Sequence, residues 1–339
     1  MRPTVLRCPA MKTLLTTRPE RAASTVITGG IAAFPTETVY GLGANVFDED
    51  AVQAVFRAKG RPGDNPLIVH VAELRQIREV AARVPASARR LIRAFFPGPL
   101  TVVLPKRPEV PASVTAGLDT VGVRMPAHPV AQEFLRLCGF PVAAPSANRS
   151  GRPSPTSWQA VRRDLEGRIP CILKGPRARV GVESTVVDCT GRVPVVLRPG
   201  AITLDDLRRV VPTTRAATLR DVKRGRSPGL RHRHYAPEAR VEVSGFGFQV
   251  SGKMAGGPSA AFIGLHPPRG VKWKMKKRCA DVDAYARELF HFFRQCDQAG
   301  VKTIVCEAVP EQGLGVALMD RIRRAAQGSC KLQVESSKL

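Results

Sequence analysis

The sequence predicts an α/β protein of two domains, with a small parallel sheet in the second. The chain has 339 residues, which exceeds the usual size of a single hydrophobic core. Short apolar runs of strand type recur along roughly the first 200 residues, with helical patterns between several of them. Nearer the C-terminus a strand, helix, strand and helix follow in that order, which is typical of parallel strands joined by crossover helices.

The first domain is predicted over residues 12–211. A helix is predicted over 48–59, because Asp48 is a suitable N-cap and a glycine follows as a stop. Another helix is predicted to begin at Thr203, where Asp206 completes a capping-box pattern. The predicted strands are 31–34, 67–71, 100–104, 121–125, 140–144, 184–188 and 194–198.

Residues 212–240 are predicted to be a linker, because the apolar pattern lapses there into a basic segment with proline and glycine. This linker contains Ser227-Pro-Gly-Leu-Arg-His-Arg-His-Tyr-Ala-Pro237. The second domain then spans 241–339. Its predicted elements are a strand at 259–263, a helix over 283–298, a strand at 301–306 and a helix over 316–326.

The composition favours a polyanionic partner and a reducing compartment. Lys and Arg outnumber Asp and Glu by 53 to 28, so the net charge of +25 favours nucleotides or RNA. The charge is spread along the chain, so an arginine-rich surface explains it equally well. Eight cysteines without a Cys-x-x-Cys pair are typical of a cytoplasmic protein. No apolar run is long enough to predict a membrane span, and Met11 is as suitable a start as Met1.

Two segments near the start of the first domain could bind a ligand. In the segment 34–43, a strand breaks at a proline into a predicted loop, where Thr38 offers a hydroxyl and two glycines would allow close approach. An ordinary turn would use the same residues. Further on, Lys59 and Arg61 flank a glycine and could clamp a triphosphate, although a lysine also suits a helix C-terminus. His70 lies in an apolar strand, where a core histidine is the alternative.

Later strands end in polar residues as well. Arg124 lies among apolar neighbours and could pair with a substrate carboxylate, unless the strand is an edge strand with one wet face. Ser146 and Asn148 follow another strand, and turn chemistry would use them too. Ser184 and Arg198 are further polar residues of this kind, a hydroxyl and an arginine beside apolar strand residues. The sequence lacks a P-loop, a GxGxxG fingerprint, a GxSxG elbow and an HExxH motif, so the chemistry is expected between bound substrates.

Together, these motifs and their order resemble the YrdC-type threonylcarbamoyl-adenylate synthases in their two-domain form. The motifs are Pro35-Thr-Glu-Thr-Val-Tyr-Gly-Leu-Gly43, Lys59-Gly-Arg61, Pro145-Ser-Ala-Asn148, Glu183-Ser-Thr185 and Leu197-Arg-Pro-Gly200. The resemblance implies a twisted mixed-sheet catalytic domain followed by a smaller Rossmann-like domain. It also implies that the linker folds over the site as a lid, carrying Arg231, His234 and Tyr235.

The resemblance implies that threonine, bicarbonate and ATP give threonylcarbamoyl-AMP and pyrophosphate, the first step of a tRNA adenosine modification. Mg²⁺ would accompany ATP, no protein side chain is predicted to bind a metal, and a downstream tRNA threonylcarbamoyl transferase complex would use the product. Lys59 and Arg61 would be catalytic. The implied ATP-binding residues are Lys59, Arg61, Asn65, Thr120, Ser146, Asn148, Ser154, Arg198, His234 and Tyr235. The implied threonine-binding residues are Thr38, His70, Arg124, Ala144 and Ser184.

Two other functions would show different features in the sequence. A carbamoyl transferase of the hydrogenase-maturation kind would need an acylphosphatase module and Cys-x-x-Cys zinc fingers, and the sequence has neither. A module that binds double-stranded RNA or tRNA without catalysis would use the net positive charge alone. The sequence is also compatible with a catalytic protein that contacts RNA.

Overall fold

Residues 11–218, 220–221, 235–245 and 257–330 are described by the computed structural model, and their strands form two β-sheets. The first sheet has eleven strands. They are β1 Leu14–Thr16, β2 Ala32–Phe34, β3 Gly41–Asn45, β4 Ile68–His70, β5 Leu100–Pro105, β6 Thr120–Arg124, β7 Val142–Ala144, β8 Cys171–Leu173, β9 Thr185–Asp188, β10 Val195–Arg198 and β11 Arg215–Ala216. Their order is β1-β8-β2-β3-β7-β4-β6-β5-β9-β10-β11, and the sheet mixes parallel and antiparallel pairs, as predicted.

Helices cover both faces of this sheet. They are α1 Pro19–Ile27, α2 Glu49–Lys59, α3 Ile77–Val80, α4 Ala86–Phe95, α5 Ala112–Thr115, α6 Pro129–Cys138, α7 Trp158–Leu165 and α8 Leu204–Val210, with a 3₁₀ turn at Leu74–Gln76. Alternate residues of β2 show the two faces: Ala33 packs into the larger apolar cluster, and Ala32 and Phe34 pack into a smaller one. Phe34 stacks on Phe134 of α6, with ring centroids 5.0 Å apart.

Two helix starts that the sequence predicts are confirmed. Asp48 caps α2 by accepting a hydrogen bond of 2.9 Å from the Ala51 amide, and Gly60 ends the helix in the left-handed conformation. Thr203 and Asp206 form the predicted capping box of α8. These local signals fix where the chain enters and leaves each helix.

The prediction of a loop at Gly41 and Gly43 was wrong, because both residues lie in β3. Strand β3 pairs antiparallel with β2, so the glycines face the ring of Phe34. A Cβ atom on Gly43 would lie 2.6 Å from Val142 Cγ1, and one on Gly41 would lie 2.9 Å from Phe34 Cζ. Glycine is therefore needed at both positions because the core leaves no room for a Cβ atom.

The second sheet confirms the predicted small parallel sheet. Its strands are β12 Arg240–Ser244, β13 Gly257–Gly264, β14 Trp273–Arg278 and β15 Thr303–Glu307, in the order β12-β15-β13-β14, and every pair is parallel. Two helices accompany it, α9 Val282–Gln298 and α10 Gly315–Cys330. We call residues 14–216 the first unit and residues 240–330 the second unit. The domain boundaries at residues 211 and 240 remain predictions.

The two units share buried surface. Val39 and Val182 of the first unit belong to the same apolar cluster as Leu289 and Phe290 of α9. Gly181 has a φ of +83° and packs directly on the backbone of Ala286. None of the helices in the described ranges is long and apolar enough to cross a membrane.

The substitution Gly181→Ala should destabilise the protein by roughly 2 kcal/mol or more. A Cβ atom there would lie 2.6 Å from the Ala286 carbonyl oxygen and would strain a left-handed residue. Urea unfolding measures the effect. Gly191→Ala is the matched control, because its Cβ atom would meet only Val193 O, at 3.9 Å, and it should change stability by less than about 0.5 kcal/mol. Equal effects of the two substitutions would contradict the proposed packing constraint.

Candidate active site

One cavity, lined mainly by the first unit, gathers most of the predicted site residues. Nine of them line it: Thr38, Arg61, His70, Arg124, Ala144, Ser146, Ser184, Arg198 and Tyr235. Five others are described but do not line it: Lys59, Asn65, Thr120, Asn148 and Ser154. His234 and Arg231 lie outside the described residues.

Strand register explains why residues distant in sequence meet at the cavity. Strands β4 and β6 are parallel, and His70 is directly opposite Arg124. Strand β7 runs antiparallel to β4, with Ala144 opposite Ile68. A further bridge joins Gly41 to Ser146. The cavity therefore lies over the central strands of the sheet, where a rigid backbone fixes each side chain.

Arg61 enters the cavity from the loop that follows α2. Its guanidinium donates hydrogen bonds to the carbonyl oxygens of Asn65, at 3.1 and 3.3 Å, and of Pro66, at 3.0 Å. Burial lowers the pKa of Arg61 to about 10, so the side chain is a cation at neutral pH. These bonds fix the position of the charge, with Asn65 contributing its backbone.

Lys59 lies behind the cavity wall. Its ammonium group donates to the carbonyl oxygens of Ser146 and Asn148, both at 2.5 Å, and the residue is 3% exposed. The Asn148 side chain in turn accepts a hydrogen bond of 2.6 Å from Ser146 Oγ. Burial, with Arg61 adding to it, holds the pKa of Lys59 well below its usual range. Lys59 thus supports the loop that presents Ser146.

Arg124 forms a buried ion pair that the sequence analysis missed. Its guanidinium donates to Glu37 Oε1 at 2.7 Å and to Thr38 Oγ1 at 2.8 Å. Both charged side chains are about 5% exposed or less. The alternative of a wet edge strand was wrong, because β6 lies between β4 and β5 inside the sheet. A buried arginine needs fixed acceptors, and a carboxylate is the strongest of them, so Glu37 in the first motif was the available signal.

Ser184 and Arg198 form a second polar centre. Arg198 donates to the carbonyl oxygen and to the hydroxyl of Ser184, each at 3.1 Å. The Ser184 hydroxyl also shares a hydrogen bond of 2.8 Å with Thr101 Oγ1. Burial lowers the pKa of Arg198. The pair therefore presents a fixed cation beside a fixed hydroxyl.

His70 is both a core residue and a cavity residue. Its ring meets Phe34 edge-on at 5.6 Å, and its Nδ1 atom lies 3.1 Å from the Ile68 carbonyl oxygen. Burial, with the neighbouring Arg124, lowers the pKa of His70 to about 3. His70 is therefore neutral at any physiological pH and contributes hydrogen bonding, without charge.

Glu183 is an acidic residue at the cavity that the sequence analysis did not assign a role. One of its carboxylate oxygens accepts a hydrogen bond of 2.5 Å from Ser154 Oγ, and the other accepts one of 2.8 Å from Arg321 of α10. Ser154 thus reaches the cavity through Glu183. A pairing across 138 positions gives no local sequence signal.

Comparisons with known proteins cover nearly the whole chain. The Sua5/YciO/YrdC family model, described as "Telomere recombination", matches residues 25–200, and a model of the threonylcarbamoyl-AMP synthase C-terminal domain matches residues 202–327. The threonylcarbamoyl-AMP synthase of Pyrococcus abyssi is 45% identical over 320 residues, which is 90% of this chain and 93% of that protein. The chain belongs to the threonylcarbamoyl-AMP synthase family.

Other members of the family also match nearly the whole chain. The threonylcarbamoyl-AMP synthase of Bacillus subtilis is 40% identical, covering 91% of this chain and 92% of that protein. The crystal structure of P. abyssi Sua5 complexed with L-threonine has a TM-score of 0.83 and 41% identity, and the match covers 94% of this chain and 98% of that one. The family resemblance that the sequence predicts and the fold class are thus both confirmed.

The low pKa of His70 predicts that it makes stability fall as pH falls. In the unfolded chain a histidine binds a proton near pH 6.5, and in the folded protein His70 does so only near pH 3. The unfolded state therefore binds more protons between these values, and this one group should remove about 1.4 kcal/mol of stability per pH unit below pH 6.5. Urea unfolding from pH 7 to about pH 5 measures this slope.

The variant His70→Gln should have a shallower slope than the wild type by about that amount, since glutamine does not titrate. His291→Gln is the control: His291 is a second-unit histidine outside the cavity lining, so its own smaller shift is measured separately. If wild type and His70→Gln have the same slope, His70 is not the buried neutral group.

Proposed function

We propose that this chain is an L-threonylcarbamoyladenylate synthase, a nucleotidyltransferase that uses L-threonine, bicarbonate and ATP. The observation that carries this proposal is the convergence of Arg61, Arg124 and Arg198 on one cavity. Three fixed cations suit a ligand set with one carboxylate and a triphosphate. The names of the relatives and the threonine complex of the P. abyssi protein support the same substrates.

Threonine is proposed to bind at the Arg124 side of the cavity. Arg124 donates from Nε to the Gly98 carbonyl oxygen and from its two terminal nitrogens to Glu37 and Thr38. Each terminal nitrogen carries a second N–H, and these two groups would bind the carboxylate at the cavity. Ser184 and neutral His70 would contact the amine and hydroxyl groups, and Ala144 would contribute its backbone. The Glu37 pair fixes the guanidinium before substrate arrives, so little reorganisation is needed.

ATP is proposed to bind along Arg61, Ser146 and Arg198. Lys59 and Asn148 would act by holding the Ser146 loop, and Ser154 by holding Glu183. Asn65 would act through the loop that carries Arg61. Thr120 and His234 remain predicted contacts, together with Tyr235 at the cavity wall.

The proposed reaction joins the substrates without a protein nucleophile. The threonine amine adds to bicarbonate to give a carbamate with loss of water, and a carbamate oxygen attacks the α-phosphorus of ATP. The new P–O bond forms as the bond to pyrophosphate breaks, and pyrophosphate leaves with its negative charge. Arg61 and Arg198 would stabilise that charge and position the phosphates.

Mg²⁺ is proposed to arrive with ATP. Among the residues the structure describes, no group of three or more His, Cys, Asp or Glu side chains could hold a metal ion, so phosphate oxygens and water would be its ligands. The ion would neutralise phosphate charge. We further propose a cytoplasmic location and delivery of the labile product to a tRNA threonylcarbamoyl transferase complex.

RNA contact is the second candidate, and one surface groove favours it. The groove has a volume of about 610 Å³ between the segment Leu74–Val84 and helix α4. Five arginines line it: Arg78, Arg83, Arg89, Arg93 and Arg107. Among the residues that the structure describes, no acidic one lines the groove, although Arg107 pairs with nearby Glu109 at 2.9 Å. Such a cluster attracts polyanions, so RNA binding would be expected to weaken steeply with salt.

Pyrophosphate release by the purified protein tests the proposed function. With Mg²⁺ and ATP, release should require both threonine and bicarbonate, and labelled threonine should be recovered as an adenylate. Release that persists without threonine would indicate a plain ATP hydrolase. Salt-sensitive RNA binding with no release would favour the binding module, and the proposed residue roles would be withdrawn.

Substitution of the arginines should separate the two substrates. Arg61→Ala should raise the KM for ATP by about 10- to 100-fold, because a charge-assisted hydrogen bond contributes about 1.5–3 kcal/mol. The double variant Arg124→Gln with Glu37→Gln should raise the KM for threonine by a similar factor, and it leaves no buried charge unpaired. Steady-state pyrophosphate release measures both constants.

Arg57→Ala is the matched control, since Arg57 is an exposed arginine on the same helix as Lys59. It should leave both KM values within about twofold of wild type. Equal small effects of the two site variants on both substrates would contradict the proposed division of the cavity.

A further inference from the structure

Arg321 of α10 is a charged residue of the second unit that is wholly buried against the first. Its exposed fraction is 0%. It donates to Glu183 Oε2 at 2.8 Å and to the Pro199 carbonyl oxygen at 3.0 Å. It also pairs with Asp320 of its own helix at 2.6 Å. Burial of a guanidinium costs several kcal/mol in lost hydration, so good contacts have to offset that cost.

The partners of Arg321 lie at the cavity. Glu183 lines it, and Pro199 directly follows the cavity residue Arg198. An unpaired Glu183 carboxylate would repel a bound triphosphate. The ion pair with Arg321 cancels this charge and leaves the positive side chains of Arg61 and Arg198 to act on the phosphates.

Arg321 also contacts the ring of Tyr235, another residue of the cavity wall. The Arg321 guanidinium carbon lies 5.5 Å from the centroid of the Tyr235 ring. The Tyr235 ring also stacks on the ring of Phe290 in α9, with the two centroids 5.4 Å apart. Tyr235 has a φ of +67°, a conformation that costs a non-glycine residue about 1–2 kcal/mol. Two helices of the second unit therefore hold this strained residue in place.

A second buried arginine, Arg294, joins the two units without lining the cavity. Arg294 of α9 pairs with Asp164 of the first unit at 2.7 Å and donates to the Pro153 carbonyl oxygen. Arg294 and Asp164 are both buried, and neither lines the cavity. This pair joins the same two units through contacts at Arg149 and Pro153, and these contacts do not include Glu183 or Tyr235. It therefore separates an effect of docking from an effect on those two residues.

We propose that Arg321 is a positioning residue through which the second unit completes the ATP part of the active site. It holds Glu183 neutralised and Tyr235 against the cavity. The identity of the ligand rests on the proposed function. The second unit is then part of the binding site itself, since the first unit supplies the acid and the second supplies its counter-charge.

Binding of Mg²⁺-ATP to the full chain, measured by calorimetry without threonine, tests this proposal. Arg321→Met should weaken ATP binding by about 10- to 100-fold, because it leaves Glu183 charged beside the phosphates. Adding Glu183→Gln to that variant should recover at least half of the loss on a logarithmic scale, since it removes the unpaired charge. The unfolding temperature of both variants is measured alongside: in a merely structural role the loss and recovery of ATP affinity would only follow the loss and recovery of stability, whereas the proposal expects lower affinity in variants that are still folded at the temperature of the assay.

The control is Arg294→Met with Asp164→Asn, which should lower the unfolding temperature and leave ATP affinity within about threefold. If Arg321→Met fails to fold, Arg321→Lys keeps the charge but cannot bridge Glu183 and Pro199, and it should weaken binding by about 5- to 10-fold. Unchanged ATP affinity in a folded Arg321 variant, or an equal loss in the Arg294 control, would overturn the proposal.

This experiment separates the two proposals. The positioning role appears in ATP affinity, which is measured in the absence of the reaction. The synthase function appears in threonine-dependent pyrophosphate release by the wild type. If substitution of Arg321 lowers ATP affinity but the wild type releases no pyrophosphate, the positioning role stands and the synthase function is rejected. If the wild type releases pyrophosphate but substitution of Arg321 leaves ATP affinity unchanged, the synthase function stands and the positioning role is rejected.

Discussion

The site depends on a single constraint: a guanidinium group can be buried only when hydrogen-bond acceptors are fixed around it, and two of the buried arginines here use a carboxylate as well. Arg124 is held by Glu37, and Arg321 is held by Glu183. Both acids are adjacent to residues that line the cavity or line it themselves. Neutral side chains packed in the same places would often be as stable, so these pairs are better understood as devices for position than as sources of stability. Each pair fixes one wall of the cavity.

The fold was largely predictable because it is encoded locally. Capping residues mark α2 and α8, and alternating or continuous apolar runs mark strands such as β5 and β10. Strand β3 was missed because its glycines read as a loop, and the positions of the Phe34 ring and of Val142 explain them. Strand β14 was missed because lysines interrupt it, as expected for a strand whose residues alternate between exposed and half-buried positions. In both cases the strand is explained by its neighbours in the sheet, which the local pattern does not show.

The sequence predicts most of the residues that gather at the cavity, but not which of them line it and which support those that do. Sequence motifs identify residues that stay together, but they do not distinguish a residue that faces the ligand from one that supports it. Lys59 illustrates the difference, because its ammonium group donates to two carbonyl oxygens of the Ser146 loop and does not line the cavity. Glu37 and Glu183 illustrate the converse, since their importance appears only when the arginines that they pair with are located. Pairing across more than 80 residues has no periodicity from which it could be read.

The charge balance of the cavity connects this architecture to the chemistry. Arg61 and Arg198 retain their charges under burial, while His70 is kept neutral by the same burial. A protonated histidine beside Arg124 would add a cation where an amine must act as a nucleophile, and a neutral ring avoids this. Glu37 and Glu183 are meanwhile paired with Arg124 and Arg321, so neither acid is left unpaired at the cavity. With the substrates placed as proposed, Arg61 and Arg198 would stabilise the charge that develops on the phosphates, and neutral His70 would leave the amine free to react, which suits transfer of a nucleotidyl group to a carbamate.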